Sequence, residues 1–265
     1  MLIAQISDTH LSERGQKTCG VAPMADNLRR CVESINAFDP TPDVVLLSGD
    51  VTNNFAVTEA ELAVEILAGL AMPLFVVPGN HDDRAVLADV FGPARCRLSE
   101  AGFVDYVIEG YALRIIALDT LHAGYPGGQF DTSQRDWLRA RLDEAPDQPT
   151  LIFAHHPPLK LGVPETDQDG FVGVDALGDL IAEYTNIERF LCGHVHLHTN
   201  TRWRGTMVTT APSIGMQLAL NLKDASDSKF LLADPAYLLH CWTDEQSLIT
   251  HHIQVSNLEG PFEFS

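Results

Sequence analysis

The chain has 265 residues, 45% of them apolar, with 36 acidic side chains against 17 basic ones and a net charge of −19. That length suits one large domain with a sizeable core, and no apolar run reaches the roughly 18 residues that a membrane helix needs. A nucleic acid duplex is not expected as a partner, because backbone binding needs clustered Lys and Arg and the sequence has no such cluster.

The first predicted element is an apolar run at 2–6, and similar runs recur at 44–47, 74–77, 114–118, 151–154 and 189–192. Each is short and rich in Val, Ile, Leu or Phe, as strands buried on both faces are. Between them lie helical patterns at 26–36, 58–70, 132–142 and 175–184. Thr58 is the expected N-cap of the second, with Glu61 three residues on. Alternating strands and helices predict a layered α/β fold. Beyond Gly193 the pattern changes, and 201–210, 237–242 and 248–255 read as strands without helices between them.

The remaining stretch, 213–236, is less regular, with "KDASDSK" as a polar turn and "FLLADPAYLL" after it. It is expected to be a cap or an oligomerisation insertion within a single domain spanning 1–265. A homo-oligomer is expected on the same ground. "MLIAQISDTH" lacks a basic leader segment and runs directly into a strand, which predicts a cytoplasmic protein. Cys19, Cys31, Cys96, Cys192 and Cys241 are widely spaced without a C-x-x-C pair, and are read as buried free thiols.

Most of the apolar runs end in side chains that can hold a metal. The run at 2–6 leads to Asp8 and His10, and that at 44–47 to Asp50. Those at 74–77 and 151–154 lead to Asn80 with His81 and to His155 with His156. The run at 189–192 leads to His194 and His196. Ligands of open α/β sheets gather beyond the carboxyl ends of the strands, so these tips are expected to converge. Gly49, Gly79 and Gly193 fit tight turns beside a ligand. In "DTH" and "HVH" the donors sit at i and i+2, a spacing that shares one face in extended backbone.

Burying so many polar groups at adjacent strand ends is costly unless they are paired or bind metal. Asp8, His10, Asp50, Asn80, His155, His194 and His196 make seven donors, more than one ion takes, and a carboxylate can bridge two. Nitrogen and oxygen donors without sulfur suit Fe, Mn, Zn or Co better than Ca²⁺ or Mg²⁺. His156 either orients its neighbour or begins the Pro-Pro turn. His122 and His198 are read as surface loop residues, and His240, His251 and His252 as structural. The Gly-rich 124–130 stretch lacks the Lys-Ser/Thr ending of a phosphate loop and is expected to be a loop, with one wall of the pocket as its alternative role.

The order D-x-H, GD, GNH[DE], H, GHxH, from Asp8 to His196, resembles the calcineurin-like metallophosphoesterase superfamily. "ISDTHLSERGQKTCG", "PGNHDD", "HHPPLKLG" and "CGHVH" most resemble its class III cyclic nucleotide phosphodiesterase and glycerophosphodiesterase branch. The resemblance implies a four-layer α/β/β/α sandwich of two mixed sheets flanked by helices. It implies two divalent or trivalent ions, the first held by Asp8, His10 and His196 and the second by Asn80, His155 and His194, with Asp50 bridging. It also implies that His81 is catalytic and binds substrate together with Asn80.

The sequence departs from the protein phosphatases of that superfamily. Asp50 is followed by "VTNN", Asp82 stands where they carry Glu, and their phosphate-clamping Arg is missing. The expected activity is hydrolysis of small phosphodiesters, 3',5'-cyclic nucleotides or glycerophosphodiesters, by metal-bound hydroxide attack on phosphorus. The alternatives are a phosphomonoesterase or nucleotide phosphohydrolase on the same scaffold, and a non-catalytic metal-binding partner protein.

Overall fold

The computed structural model describes residues 1–223, 228–256, 259–260 and 262–264. In chain order, β1 (Leu2–Ile6), α1 (Met24–Ala37), β2 (Val44–Ser48), α2 (Val57–Leu67), β3 (Leu74–Val77) and α3 (Arg84–Phe91) come first. They are followed by β4 (Tyr106–Ile108), β5 (Arg114–Ala117), β6 (Gly128–Gln129), α4 (Thr132–Asp143), β7 (Thr150–Phe153), α5 (Pro164–Asp167), β8 (Phe171–Val172) and α6 (Val174–Ile181). The chain ends in strands: β9 (Ile187–Cys192), β10 (Thr199–Trp203), β11 (Thr206–Thr210), β12 (Met216–Leu218), β13 (Phe230–Leu232), β14 (Ala236–Trp242) and β15 (Leu248–Gln254). No described helix is long and apolar enough to cross a membrane.

Two mixed sheets form, in the orders β15-β14-β1-β2-β3 and β10-β11-β9-β7-β5-β4. In the first, β1, β2 and β3 run parallel, β14 is antiparallel to β1, and β15 is antiparallel to β14. In the second, β5, β7, β9 and β11 run parallel, with antiparallel β4 and β10 at the edges. Side chains alternate across a strand, and this places the layers. Ile115, Ala117, Leu151, Phe153 and Leu191 join the core shared with the first sheet and with α1, α2 and α3. Their neighbours Ile116, Ile152 and Phe190 pack with Leu138 and Leu142 of α4 and with Leu177, Leu180 and Ile181 of α6. The result is α/β/β/α, and the continuous apolar runs are strands with both faces covered.

Several boundaries differ from the sequence expectation. α2 begins after Ala56 without a side-chain cap, so Thr58 lies inside its first turn. Glu59 instead turns its carboxylate onto the backbone N–H groups of Asn53 and Asn54, at 3.0 and 2.8 Å, fastening the loop that enters the helix. α2 also stops at Leu67 rather than at residue 70. α3 and β4 were not expected, because α3 buries only Leu87 and Phe91 and β4 is three residues long. The start of α3 is marked by Asp83, which caps Ala85 and Val86. The 201–210 strand is a hairpin that reverses at Arg204 and Gly205, both at positive φ. Part of 213–236 forms the antiparallel β12–β13 pair, and the centre of "KDASDSK", residues 224–227, lies outside the described residues.

Asp105 generates a stability prediction. It is buried before β4, and its carboxylate accepts the backbone N–H of Asp119 (2.8 Å) and the Gln134 amide (3.2 Å). Burial, helped by the nearby charge of Asp119, pushes its pKa up to about 8. Unfolded, the same carboxyl titrates near ~4. The folded chain therefore binds the extra proton between those values, and this group's contribution to stability falls as pH rises through that window. Asp105→Asn is expected to flatten the decline of the urea midpoint between pH 5 and 8. A variant whose midpoint falls as steeply as the parent's would refute this.

Candidate metal centre

The donors stand at the carboxyl ends of parallel strands from both sheets. Asp8 and His10 follow β1, Asp50 follows β2 and Asn80 follows β3, while His155 follows β7 and His194 and His196 follow β9. Asp8, His10, Asp50, His194 and His196 all have positive φ, between 39° and 71°. The i, i+2 donor pairs are therefore set in left-handed bends beyond the strand ends, not in extended backbone as the sequence suggested. Such a conformation costs a non-glycine residue about 1–3 kcal/mol, so the surrounding contacts must enforce it.

In the first group, the ligand atoms of Asp8, His10, Asp50 and His196 lie within 4.8 Å of one another. His196 donates from Nδ1 to the Met216 carbonyl at 2.5 Å, which leaves its Nε2 a bare lone pair, 3.0 Å from Nε2 of His10. Asp8 accepts the backbone N–H of His194 at 3.0 Å and places Oδ1 3.4 Å from Nε2 of His196. Nδ1 of His10 is buried without a hydrogen-bond partner among the described residues.

In the second group, Oδ1 of Asn80 lies 3.2 Å from Nε2 of His155 and 3.1 Å from Nδ1 of His194. His155 donates from Nδ1 to the Ser48 carbonyl at 2.8 Å, so Nε2 is the nitrogen it turns to Asn80 and Asp50, protonated when no cation is there and a lone pair for one that is. Asp50 stands between the groups. Its Oδ1 takes the backbone N–H of His81 at 2.8 Å, and its Oδ2 is 3.4 Å from Nε2 of both His10 and His155.

Converging acceptors of this kind repel one another unless a cation sits among them. The protonation pattern agrees. Burial opposes charge on Asp50, but His155 and His10 outweigh it and hold the carboxyl well below its usual range. Burial likewise opposes charge on His155, yet Asp50 outweighs it and pushes the pKa up to about 9. His10 is driven well below its ordinary value, chiefly by burial. Without a metal, a proton on His155 balances Asp50. A bound cation serves the same purpose, and the oxygen and imidazole donors suit first-row ions.

Close packing leaves little slack. A Cβ on Gly193 would overlap Ser7 Oγ, and one on Gly79 would overlap Oδ1 and the backbone nitrogen of Asp50. Asp82, which the sequence reading gave no role, ties the loops after β2 and β3 together. It accepts backbone N–H groups from Val51 (3.0 Å), Thr52 (2.8 Å) and Gly79 (2.9 Å). Burial and the charge of Asp50 push its pKa up to about 6. Its only sequence signal was its place within "GNHDD". Gln5 donates to Ser48 Oγ and to the Cys192 carbonyl, both at 2.9 Å, joining the two sheets below the site.

His81 stands beside the donors, its ring 4.8 Å from that of His10. Nδ1 lies 2.9 Å from the Asn53 carbonyl and donates to it, leaving Nε2 free on a residue that lines the cavity over the donors. His156 is buried with both nitrogens engaged, 2.9 Å from Thr120 Oγ1 and 3.1 Å from the Pro126 carbonyl. His122 stacks on Tyr125, His198 sits near His252, and His240 is buried against Gln5 and Thr250. None of these three lines the cavity over the donors. Cys31, Cys96 and Cys192 are buried and all five thiols are free, but Cys241 is half-buried and Cys19 is exposed. The expectation of five buried thiols is corrected on both counts. The loop carrying Cys19 bulges from the strand end to the rim of the cavity.

That cavity, about 430 Å³, is lined by donors of both groups, by Cys19 and Pro126, by Glu165 and Asp169, and by Met216, Lys229 and Phe230 around the β12–β13 pair.

Fold and donor set together define a metal-dependent phosphoesterase. The chain belongs to the calcineurin-like phosphoesterase family, whose sequence profile matches residues 1–198. It is 35% identical over 265 residues, all of this chain and 97% of the relative, to a probable glycerophosphodiester phosphodiesterase GpdQ of Arcobacter nitrofigilis. It is 27% identical over 216 residues, 81% of this chain and 76% of the relative, to the 3',5'-cyclic adenosine monophosphate phosphodiesterase CpdA of Escherichia coli. A dimetal phosphatase from Danio rerio has the same fold, with a TM-score of 0.67 over 97% of this chain and 99% of its own at 15% identity.

Gly79→Ala is expected to weaken Mn²⁺ uptake by about tenfold or more, because the added methyl displaces Asp50. Unaltered uptake in a calorimetric titration would mean that the loop can yield without moving the carboxylate.

Proposed function

We propose that the protein is a dinuclear metal-dependent phosphodiesterase of small organic phosphodiesters. The observation that carries this is Asp50 Oδ2, equidistant at 3.4 Å from an imidazole of each donor group. Asp8, His10 and His196 would hold one ion, Asn80, His155 and His194 the other, and Asp50 would bridge them, with Fe, Mn, Zn or Co as candidates. Bound there, two ions supply the acidification of a water molecule and charge stabilisation at the phosphoryl and leaving oxygens.

The chain's own groups do the rest. The Asn53 carbonyl accepts the Nδ1–H of His81, which leaves Nε2 as the open nitrogen of a residue that lines the cavity. When Nε2 is protonated as well, His81, beside Asn80, can donate to a phosphoryl oxygen or hand that proton to the departing alkoxide while Nδ1–H stays on the Asn53 carbonyl. General-acid help of this kind is worth roughly 10²–10⁴-fold. Among the described residues the cavity wall carries a single basic side chain of the Lys/Arg type, Lys229, and no guanidinium. A diester with one negative charge suits such a wall better than a doubly charged monoester. Glycerophosphodiesters are favoured over cyclic nucleotides, because the relative named for them aligns along this whole chain and the cyclic AMP relative along 81% of it.

The 213–236 stretch is read as a cap on a single domain, since Met216, Lys229 and Phe230 face the cavity. A homo-oligomer is part of the same reading, supported by Leu231 and Leu232, which stand 59% and 57% exposed on β13.

With Mn²⁺ added, turnover of bis(p-nitrophenyl) phosphate is expected to exceed that of p-nitrophenyl phosphate, and chelation is expected to abolish both. Preference for the monoester would favour a phosphatase, and turnover of neither would favour a metal-binding partner protein. Asn80→Ala is expected to cut diester turnover at least about tenfold and to lower the number of ions bound. Full metal content and rate in that variant would remove Asn80 from the donor set.

A further inference from the structure

Asp169 lies outside every motif that carries a donor. It sits between α5 and β8, and its Oδ2 is 3.4 Å from Nε2 of His194. The other nitrogen of that ring, Nδ1, is 3.1 Å from Oδ1 of Asn80. One imidazole thus stands between an amide oxygen on one side and a carboxylate on the other. Where no cation lies between them, a carboxylate is met favourably only by an N–H, and Asp169 meets the ring nitrogen that is not the one facing Asn80. Asp169 therefore favours the tautomer with the proton on Nε2, leaving Nδ1 as the lone pair that faces Asn80 and His155.

The backbone carrying Asp169 is itself fastened. β6 and β8 form a small parallel ladder, and Gly128 donates to the Gly170 carbonyl at 3.1 Å. A Cβ on Gly127 would overlap the Asp169 carbonyl, so this glycine lets the two segments touch. The same loop holds His156, through the Pro126 carbonyl. This gives the Gly-rich 124–130 stretch a task that its sequence did not disclose. Together with the 169–172 segment it forms a strap across the outer side of His156 and His194.

We propose that Asp169 is a positioning residue for the second metal position. It fixes the tautomer and ring plane of His194, so ion uptake at Asn80, His155 and His194 depends on it, while uptake at Asp8, His10 and His196 does not. The proposal rests on the two-ion reading above. Partners that orient a metal-binding imidazole also raise its basicity, and their loss costs roughly 10–100-fold in affinity. Asp169 makes no contact with Asp8, His10 or His196 that would spread the effect to the first group, although Asp8 does hold the His194 backbone N–H.

The test is a Co²⁺ titration of the metal-free protein, followed by calorimetry and by visible absorption, which reports coordination independently of turnover. The parent is expected to take up two ions per chain. Asp169→Asn, which keeps the shape but not the charge, and Asp169→Ala are expected to retain one binding event at parental affinity. The other should weaken about 10–100-fold, and Asp169→Glu should recover part of the loss. Two events at parental affinity in Asp169→Ala would overturn this proposal alone. So would equal weakening of both events, since that marks general damage to the fold. A parent protein that binds a single ion would overturn the two-ion reading, and this proposal with it.

Discussion

One carboxylate oxygen, Oδ2 of Asp50, lies between an imidazole that follows the first strand of one sheet and an imidazole that follows a strand of the other. The two sheets meet chemically at that point. The first sheet delivers Asp8, His10, Asp50 and Asn80, and the second delivers His155, His194 and His196. Neither sheet has enough donors for both groups. The sandwich is therefore a condition for the centre, and the pairing of inward faces through Phe153 and Leu191 with the first sheet's core holds the strand ends at matching height.

The arrangement is locally expensive. Left-handed backbone at five donor residues, a nearly buried Asp50 and a buried Asp82 all oppose folding when taken singly. They persist because each is held by several fixed partners. Asp82 takes three backbone N–H groups, Asp50 takes one from His81, and Gln5 bridges Ser48 and Cys192. The surrounding strands are largely buried on both faces and supply the stability against which these local costs are set.

Much of this was legible in the sequence, for a physical reason. A parallel strand covered on both sides must be apolar throughout, so a polar residue at its tip stands out. That contrast picked out Asp8, Asp50, Asn80, His155 and His194 with no knowledge of the fold. What escaped was of two kinds. Short elements such as α3 and β4 bury too little to leave a periodic signal. Supporting contacts such as Asp82 to Thr52, Asp169 to His194 and Met216 to His196 join positions far apart in the chain, and no local pattern encodes them. The Thr58 cap failed because Glu59 satisfies loop amides instead. The bends at Asp8 and His10 were misread because periodicity describes strands and says nothing of the residues beyond them.

The hydrogen bond from His196 to the Met216 carbonyl ties a donor of the inner cluster to a strand whose partner, β13, presents leucines to solvent. A shift of β12 at Met216 has to bend that bond or turn the imidazole. Were a cation bound at the cluster, any effect of the ribbon's position on its uptake would be matched by an equal effect of uptake on the ribbon, because thermodynamic linkage runs equally in both directions.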